Sequence, residues 1–130
     1  MHKGRILIID DDSDFVEINR MALEAAGYQI SAAYNGREGL GKIQAEKPDL
    51  ILLDVMMTTV TEGLDLAYEL REKEEYRGIP IFLITSMTSA PEFPQSFTYV
   101  LGRDWPVTKY FDKPVKPAQI VAAVGEVLAK

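Results

Sequence analysis

The chain has 130 residues, carries 20 acidic against 14 basic side chains for a net charge of −6, and contains no cysteine. That length suits one domain, its apolar share of 47% can supply a core, and the lack of thiols excludes disulfides and thiolate metal sites. The acidic balance argues against nonspecific nucleic-acid binding, and the apolar runs are far too short for a membrane span. With no basic and apolar leader to direct secretion, the expectation is a single cytoplasmic domain over residues 1–130, with neither membrane nor nucleic acid as its partner.

Arg5–Ile9 is an Ile/Leu run too short for a helix, which reads as a buried parallel strand, and it ends at Asp10-Asp11-Asp12. Ser13 or Asp14 can cap the helix that follows, which would turn Phe15, Ile18, Ala22 and Ala26 to one face and stop at Gly27. Tyr28–Ala33 alternates loosely and reads as the next strand. Asn35 caps a second helix, Gly36–Lys47, diluted by Gly36, Gly39 and Gly41 and stopped by Pro48. Asp49–Leu53 is another buried run and leads straight into Asp54. Thr61 caps a third helix with Leu64, Ala67 and Tyr68 inward. Ile79–Ile84 and the weaker Val107–Phe111 complete the strands. Between them, Ser86–Pro106 holds Pro91, Pro94, Gly102 and Pro106, so a fourth helix there is short or irregular and confined to Glu92–Leu101. Pro117 opens the last helix, where Val121, Val124 and Leu128 share a face.

Strands alternating with helices imply βαβ crossovers, hence a doubly wound α/β domain with a parallel sheet and helices on both sides. Ligands in such sheets bind beyond the carboxyl ends of the strands, where the strand order reverses. Those ends carry Asp10, Asp11, Asp12, Asp54, Thr85 and Ser86, with Lys113 just after the last strand. Two anions about 4 Å apart repel by roughly 4 kcal/mol at an effective dielectric near 20, so Asp10, Asp11 and Asp54 together call for a cation or a retained proton. Hard oxygen donors without His or Cys favour Mg2+, which typically binds one or two carboxylates plus a phosphate and keeps several waters. Asp12, beside the capping position, reads equally well as a cap. A carboxylate can also attack phosphorus to give an acyl phosphate, provided its charge is partly neutralised. Lys113 offers an ammonium for that purpose and Thr85 a hydroxyl donor toward a phosphoryl oxygen.

The blocks Ile-Leu-Ile-Ile-Asp10-Asp11-Asp12, Pro48-Asp49-Leu-Ile-Leu-Leu-Asp54-Val-Met-Met, Phe82-Leu-Ile-Thr85-Ser86 and Tyr110-Phe-Asp-Lys113-Pro114 resemble the signature blocks of response-regulator receiver domains. They stand in that family's order and the likeness spans essentially the whole chain. It implies a flavodoxin-like (βα)5 fold on a five-stranded parallel sheet, acting as a phosphoacceptor switch of a two-component phosphorelay. Position by position, Asp54 matches the phosphoacceptor, Asp10 and Asp11 the acidic pair with Asp11 the direct Mg2+ ligand, and Met56 lends its backbone carbonyl to the metal. Thr85 matches the switch hydroxyl, Lys113 the phosphate-facing lysine placed by a cis peptide to Pro114, and Tyr110 the aromatic that turns inward with Thr85. Met56 and Met87 match the positions that flank the phosphoryl group and govern attack by water. The implied partners are a histidine kinase or phosphotransfer protein, an output partner or effector domain, and a second copy on phosphorylation. A receiver promotes its own phosphoryl transfer and slow self-dephosphorylation and is not a stand-alone turnover enzyme.

The sequence departs from the family in two places. Thr58-Thr59-Val60-Thr61-Glu62-Gly63 replaces the usual Met-Pro and Asp-Gly of the loop after Asp54, and the stretch from Thr85 to Lys113 is longer and richer in proline. Other readings fare worse. A haloacid-dehalogenase-type phosphatase needs a second aspartate two residues after its nucleophile, where Met56 stands. A flavodoxin-like binding protein needs a phosphate-cradling loop where Asp10-Asp11-Asp12 would repel the phosphate. A receiver fold serving only as a constitutive docking module would have no use for the full set of reactive residues.

Overall fold

The computed structural model describes residues 3–54, 62–85, 109–112 and 115–128. Strand β1 (Arg5–Ile9) is followed by helix α1 (Ser13–Ala25), β2 (Gln29–Ala33), α2 (Gly36–Ala45), β3 (Leu50–Asp54), α3 (Glu62–Glu72), β4 (Ile81–Thr85), β5 (Lys109–Asp112) and α4 (Pro117–Leu128). The sheet order is β2-β1-β3-β4-β5 and every neighbouring pair is parallel. The direction of winding therefore reverses between β1 and β3. The expected fourth helix in Ser86–Pro106 and the expected Thr61 cap lie outside the described residues. Among the described residues no helix is long and apolar enough to cross a membrane.

Because side chains alternate along a strand, the apolar runs feed two cores at once. Leu7, Ile9, Ile51, Leu53, Ile81 and Leu83 face α2 and α3, where Ile43, Leu66, Ala67 and Leu70 close over them. Ile6, Ile8, Leu50, Leu52, Phe82 and Ile84 face α1 and α4, which contribute Val16, Leu23, Ile120, Ala123 and Val124. Each of these fully buried Leu or Ile side chains contributes about 1.5–3 kcal/mol relative to exposure, which is why strands of such composition form despite their short length. Phe82 packs its ring 5.7 Å from that of Phe111, tilted by 55°, tying β5 to the centre of the second core.

The helix faces correct the sequence reading. On α1 the inward residues are Val16, Asn19 and Leu23, while Ile18 is 54% exposed, so the expected Phe15–Ile18–Ala22–Ala26 face is rotated by about one residue. Phe15 and Ala26 are only partly buried against the core. The polar Asn19 sits in the true stripe and is accommodated because its amide donates to the Phe15 carbonyl at 2.8 Å. On α3, Leu66, Ala67 and Leu70 are buried, whereas Tyr68, expected inward, is 38% exposed. On α4 the buried residues are Ile120, Ala123 and Val124, with Val121 and Leu128 partly buried beside them.

Local chemistry fixes the helix ends. Gly27 adopts φ 106°, a conformation that an L side chain rarely accepts, and so stops α1 where the sequence predicts. Asn35 Oδ1 accepts from the Glu38 N–H at 2.8 Å while Glu38 Oε1 accepts from the Tyr34 N–H at 2.9 Å, a reciprocal cap for α2. After α3, Arg71 Nη1 donates to the carbonyls of Arg77 and Ile79 at 2.8 and 2.9 Å, fastening the turn that leads to β4, and burial holds its guanidinium below its ordinary pKa. Gly41 is different, since a methyl group there would meet nothing within 4 Å. Gly41→Ala is therefore expected to stabilise the chain by about 0.5–1 kcal/mol through helix propensity alone, read as a rise in the urea midpoint.

Candidate functional site

The acidic residues come together because of register. Ile9 pairs with Leu53 across β1 and β3, so the next residues on the two strands, Asp10 and Asp54, reach the carboxyl rim side by side at the reversal point. The Asp10 N–H donates to the Ala33 carbonyl at 3.0 Å, extending the β1–β2 ladder beyond Ile9. The Asp10 carboxylate is in turn held by the Asp12 N–H, which donates to its Oδ1 at 2.9 Å. Asp10 is 1% exposed and Asp54 4%, while Asp11 is open to solvent. Carboxylate oxygens from Asp10, Asp11 and Asp54 all lie within 4.8 Å of one another.

At 4.8 Å and an effective dielectric near 20, each pair of anions repels by about 3 kcal/mol, and burying two of the three removes much of the water that would otherwise solvate them. Such a cluster is stable as a set of anions only around positive charge. Its donors are hard oxygens with one open, solvent-facing member, which fits a divalent cation of the Mg2+ type that keeps part of its water shell.

Asp12 belongs to the scaffold. Its Oδ1 accepts from the N–H groups of Asp14 and Phe15 at 3.0 and 3.3 Å, making it the cap of α1. The expected caps, Ser13 and Asp14, lie inside the helix instead. Capping by Asp12 fixes the turn in which Asp11 is displayed, and the same residue's N–H orients Asp10. Of the other expected site residues, Thr85 ends β4, in register with Asp112, and Tyr110 lies in β5 in register with Leu83. Both therefore stand on strands that run toward the same rim. Met56 and Lys113 lie outside the described residues. Sequence reasoning also passed over Gly39, noted as a weak point of α2 but buried against the end of β1.

A parallel α/β sheet in the order β2-β1-β3-β4-β5, with three aspartates gathered at its reversal point, defines a doubly wound domain whose acidic cluster lies at the carboxyl rim. The family model described as "Response regulator receiver domain" matches residues 6–125. The chain belongs to that family, the receiver domains of two-component response regulators. It is 32% identical over 126 residues to the alkaline phosphatase synthesis transcriptional regulatory protein PhoP of Bacillus subtilis, covering 97% of this chain and 49% of that protein. It is 36% identical over 125 residues to the phosphate regulon transcriptional regulatory protein PhoB of Pseudomonas aeruginosa, covering 96% of this chain and 52% of that protein. The chain thus spans about half the length of these curated relatives. Among solved structures, a CheY-like response regulator receiver domain protein from Methanospirillum hungatei superposes with a TM-score of 0.80 at 28% identity, covering 96% of this chain and 93% of that one.

Proposed function

We propose that this chain is a phosphoacceptor switch, in which Asp54 receives a phosphoryl group from a histidine kinase or phosphotransfer protein. The observation that carries this reading is the convergence of Asp10, Asp11 and Asp54 carboxylates within 4.8 Å at the reversal point of the sheet. In the transfer, an Asp54 carboxylate oxygen attacks phosphorus, the bond from phosphorus to the donor's imidazole nitrogen breaks, and the electron pair leaves with the imidazole. Bound Mg2+, held by Asp11, Asp54 and the Met56 carbonyl with Asp10 supporting, would supply the positive charge that lets an anion accept an anionic group. Lys113 is assigned the remaining phosphoryl charge, and Thr85 a hydroxyl hydrogen bond to a phosphoryl oxygen, with Tyr110 following Thr85 inward. The unit is a (βα)5 receiver domain over residues 1–130. It works in the cytoplasm, signals through an effector domain, an output partner or a second copy, and is not a turnover enzyme.

The test is incubation of the whole chain with acetyl phosphate, with and without Mg2+, followed by intact-mass measurement. Incorporation of one phosphoryl group that depends on Mg2+ and is removed by hydroxylamine, as an acyl phosphate is, supports the reading. A chain that stays unmodified under both conditions sinks it.

The lifetime of the phosphorylated state follows from Met56 and Met87. A thioether is only a weak acceptor and cannot hold an attacking water, so apolar flanks give slow hydrolysis. A Met56→Asn, Met87→Glu double variant is expected to lose its phosphoryl group about tenfold faster, equivalent to ~1.4 kcal/mol of barrier, in a decay followed in excess Mg2+. Equal decay of the two proteins would show that the methionines do not shield the site.

A further inference from the structure

We propose that Gly39 is a positioning residue for the acid cluster, acting through Ile9; this rests on the Mg2+ reading of the site. A methyl group at Gly39 would lie 3.0 Å from Ile9 Cγ1, 3.3 Å from Cγ2 and closer still to Cδ1. Ile9 is fully buried in the same cluster as Ala33, Ile43 and Leu53, so turning its side chain away from α2 would press it against those neighbours. The glycine and the long isoleucine are thus a matched small and large pair that lets α2 sit directly on the end of β1.

Relief of that overlap has two routes, and both reach Asp10. If Ile9 gives way, the strain falls on the residue bonded to Asp10. If α2 backs away, it pulls on the short connection from its start at Gly36 to the end of β2 at Ala33, whose carbonyl accepts the Asp10 N–H at 3.0 Å. The Asp10 carboxylate is almost wholly buried and already tied to the Asp12 N–H, so it cannot adjust independently. Gly39 therefore acts at a distance on a site it does not touch, by setting the depth at which α2 is seated.

The experiment is calorimetric titration of the full chain with MgCl2, for wild type, Gly39→Ala, Ile9→Val, the double variant and Gly41→Ala, with thermal unfolding to check each fold. Gly39→Ala is expected to weaken Mg2+ binding by about tenfold, the low end for disturbing the support of a metal ligand. Ile9→Val removes Cδ1, so the double variant should regain the affinity of Ile9→Val alone. Gly41→Ala, the same change on the open side of the same helix, should bind Mg2+ as wild type does. Wild-type affinity in Gly39→Ala, or no recovery in the double variant, overturns the inference. If Gly39→Ala does not fold, the double variant decides: recovery of fold and affinity supports the interlock, and continued unfolding refutes it. A wild-type chain that takes up no Mg2+ brings down the metal site itself, and the inference with it.

Discussion

Asp54→Asn is expected to abolish phosphoryl incorporation while the chain stays folded. Asparagine has nearly the shape of aspartate, so the 4%-exposed slot at the end of β3 remains filled and the register of β3 with β1 and β4 is undisturbed. What is lost is the anionic oxygen, and a neutral amide is far too weak a nucleophile toward phosphorus to replace it. Asp10 cannot take over, because it is 1% exposed and its Oδ1 is engaged by the Asp12 N–H. Asp11 is exposed, but its assigned work is to hold the cation that makes attack by Asp54 feasible. Incorporation from acetyl phosphate should therefore drop below detection in intact-mass measurements, with unfolding by urea still cooperative. A variant that still takes up one phosphoryl group would place the acceptor elsewhere in the chain.

The rim was legible in the sequence because each strand carries its own signal. A run such as Leu50–Leu53 is buried on both faces and bounded by polar residues, which identifies it as a parallel strand without tertiary information. Once the runs are placed, Asp10, Asp11 and Asp54 must stand at carboxyl ends. Their mutual approach then depends only on β1 lying beside β3, as it does. Boundaries moved slightly, and with meaning: Asp54 is the last residue of β3, not the first residue after it, so its position is fixed by pairing with Ile84.

Helix rotation was much less legible. The stripe of α1 includes Asn19, and counting apolar residues alone favours the neighbouring stripe through Ile18, which faces solvent. Nothing local reveals that Asn19 can be buried by donating back to the Phe15 carbonyl. Asp12 shows a similar limit: three successive aspartates offer the same chemistry, and the turn geometry selects which one caps. Gly39 looked like a propensity defect of α2, and only the position of Ile9 reveals it as a close approach. The available signal was its spacing, since Gly36, Gly39 and Ile43 share the buried face of the helix.

The second large effect is an inversion of stability. Without divalent cations, Asp11→Ala should be more stable than wild type, because it removes one member of a cluster whose oxygens lie within 4.8 Å. Asp11 is exposed, so solvent screening reduces the full Coulomb repulsion of about 3 kcal/mol per pair to a gain of about 1 kcal/mol. Added Mg2+ stabilises whatever folded state binds it. At a concentration about one hundred times the dissociation constant, wild type should gain about 2.7 kcal/mol. The variant, lacking the open carboxylate, should gain little at that concentration. The order of the two proteins in urea must then cross, with the variant ahead in EDTA and wild type ahead by about 1–2 kcal/mol in saturating Mg2+. NaCl at matched ionic strength separates site binding from general screening, which would act on both proteins alike. If Mg2+ raises the urea midpoint of Asp11→Ala as much as that of wild type, Asp11 is not a ligand, and the cation is held by the other acids of the rim.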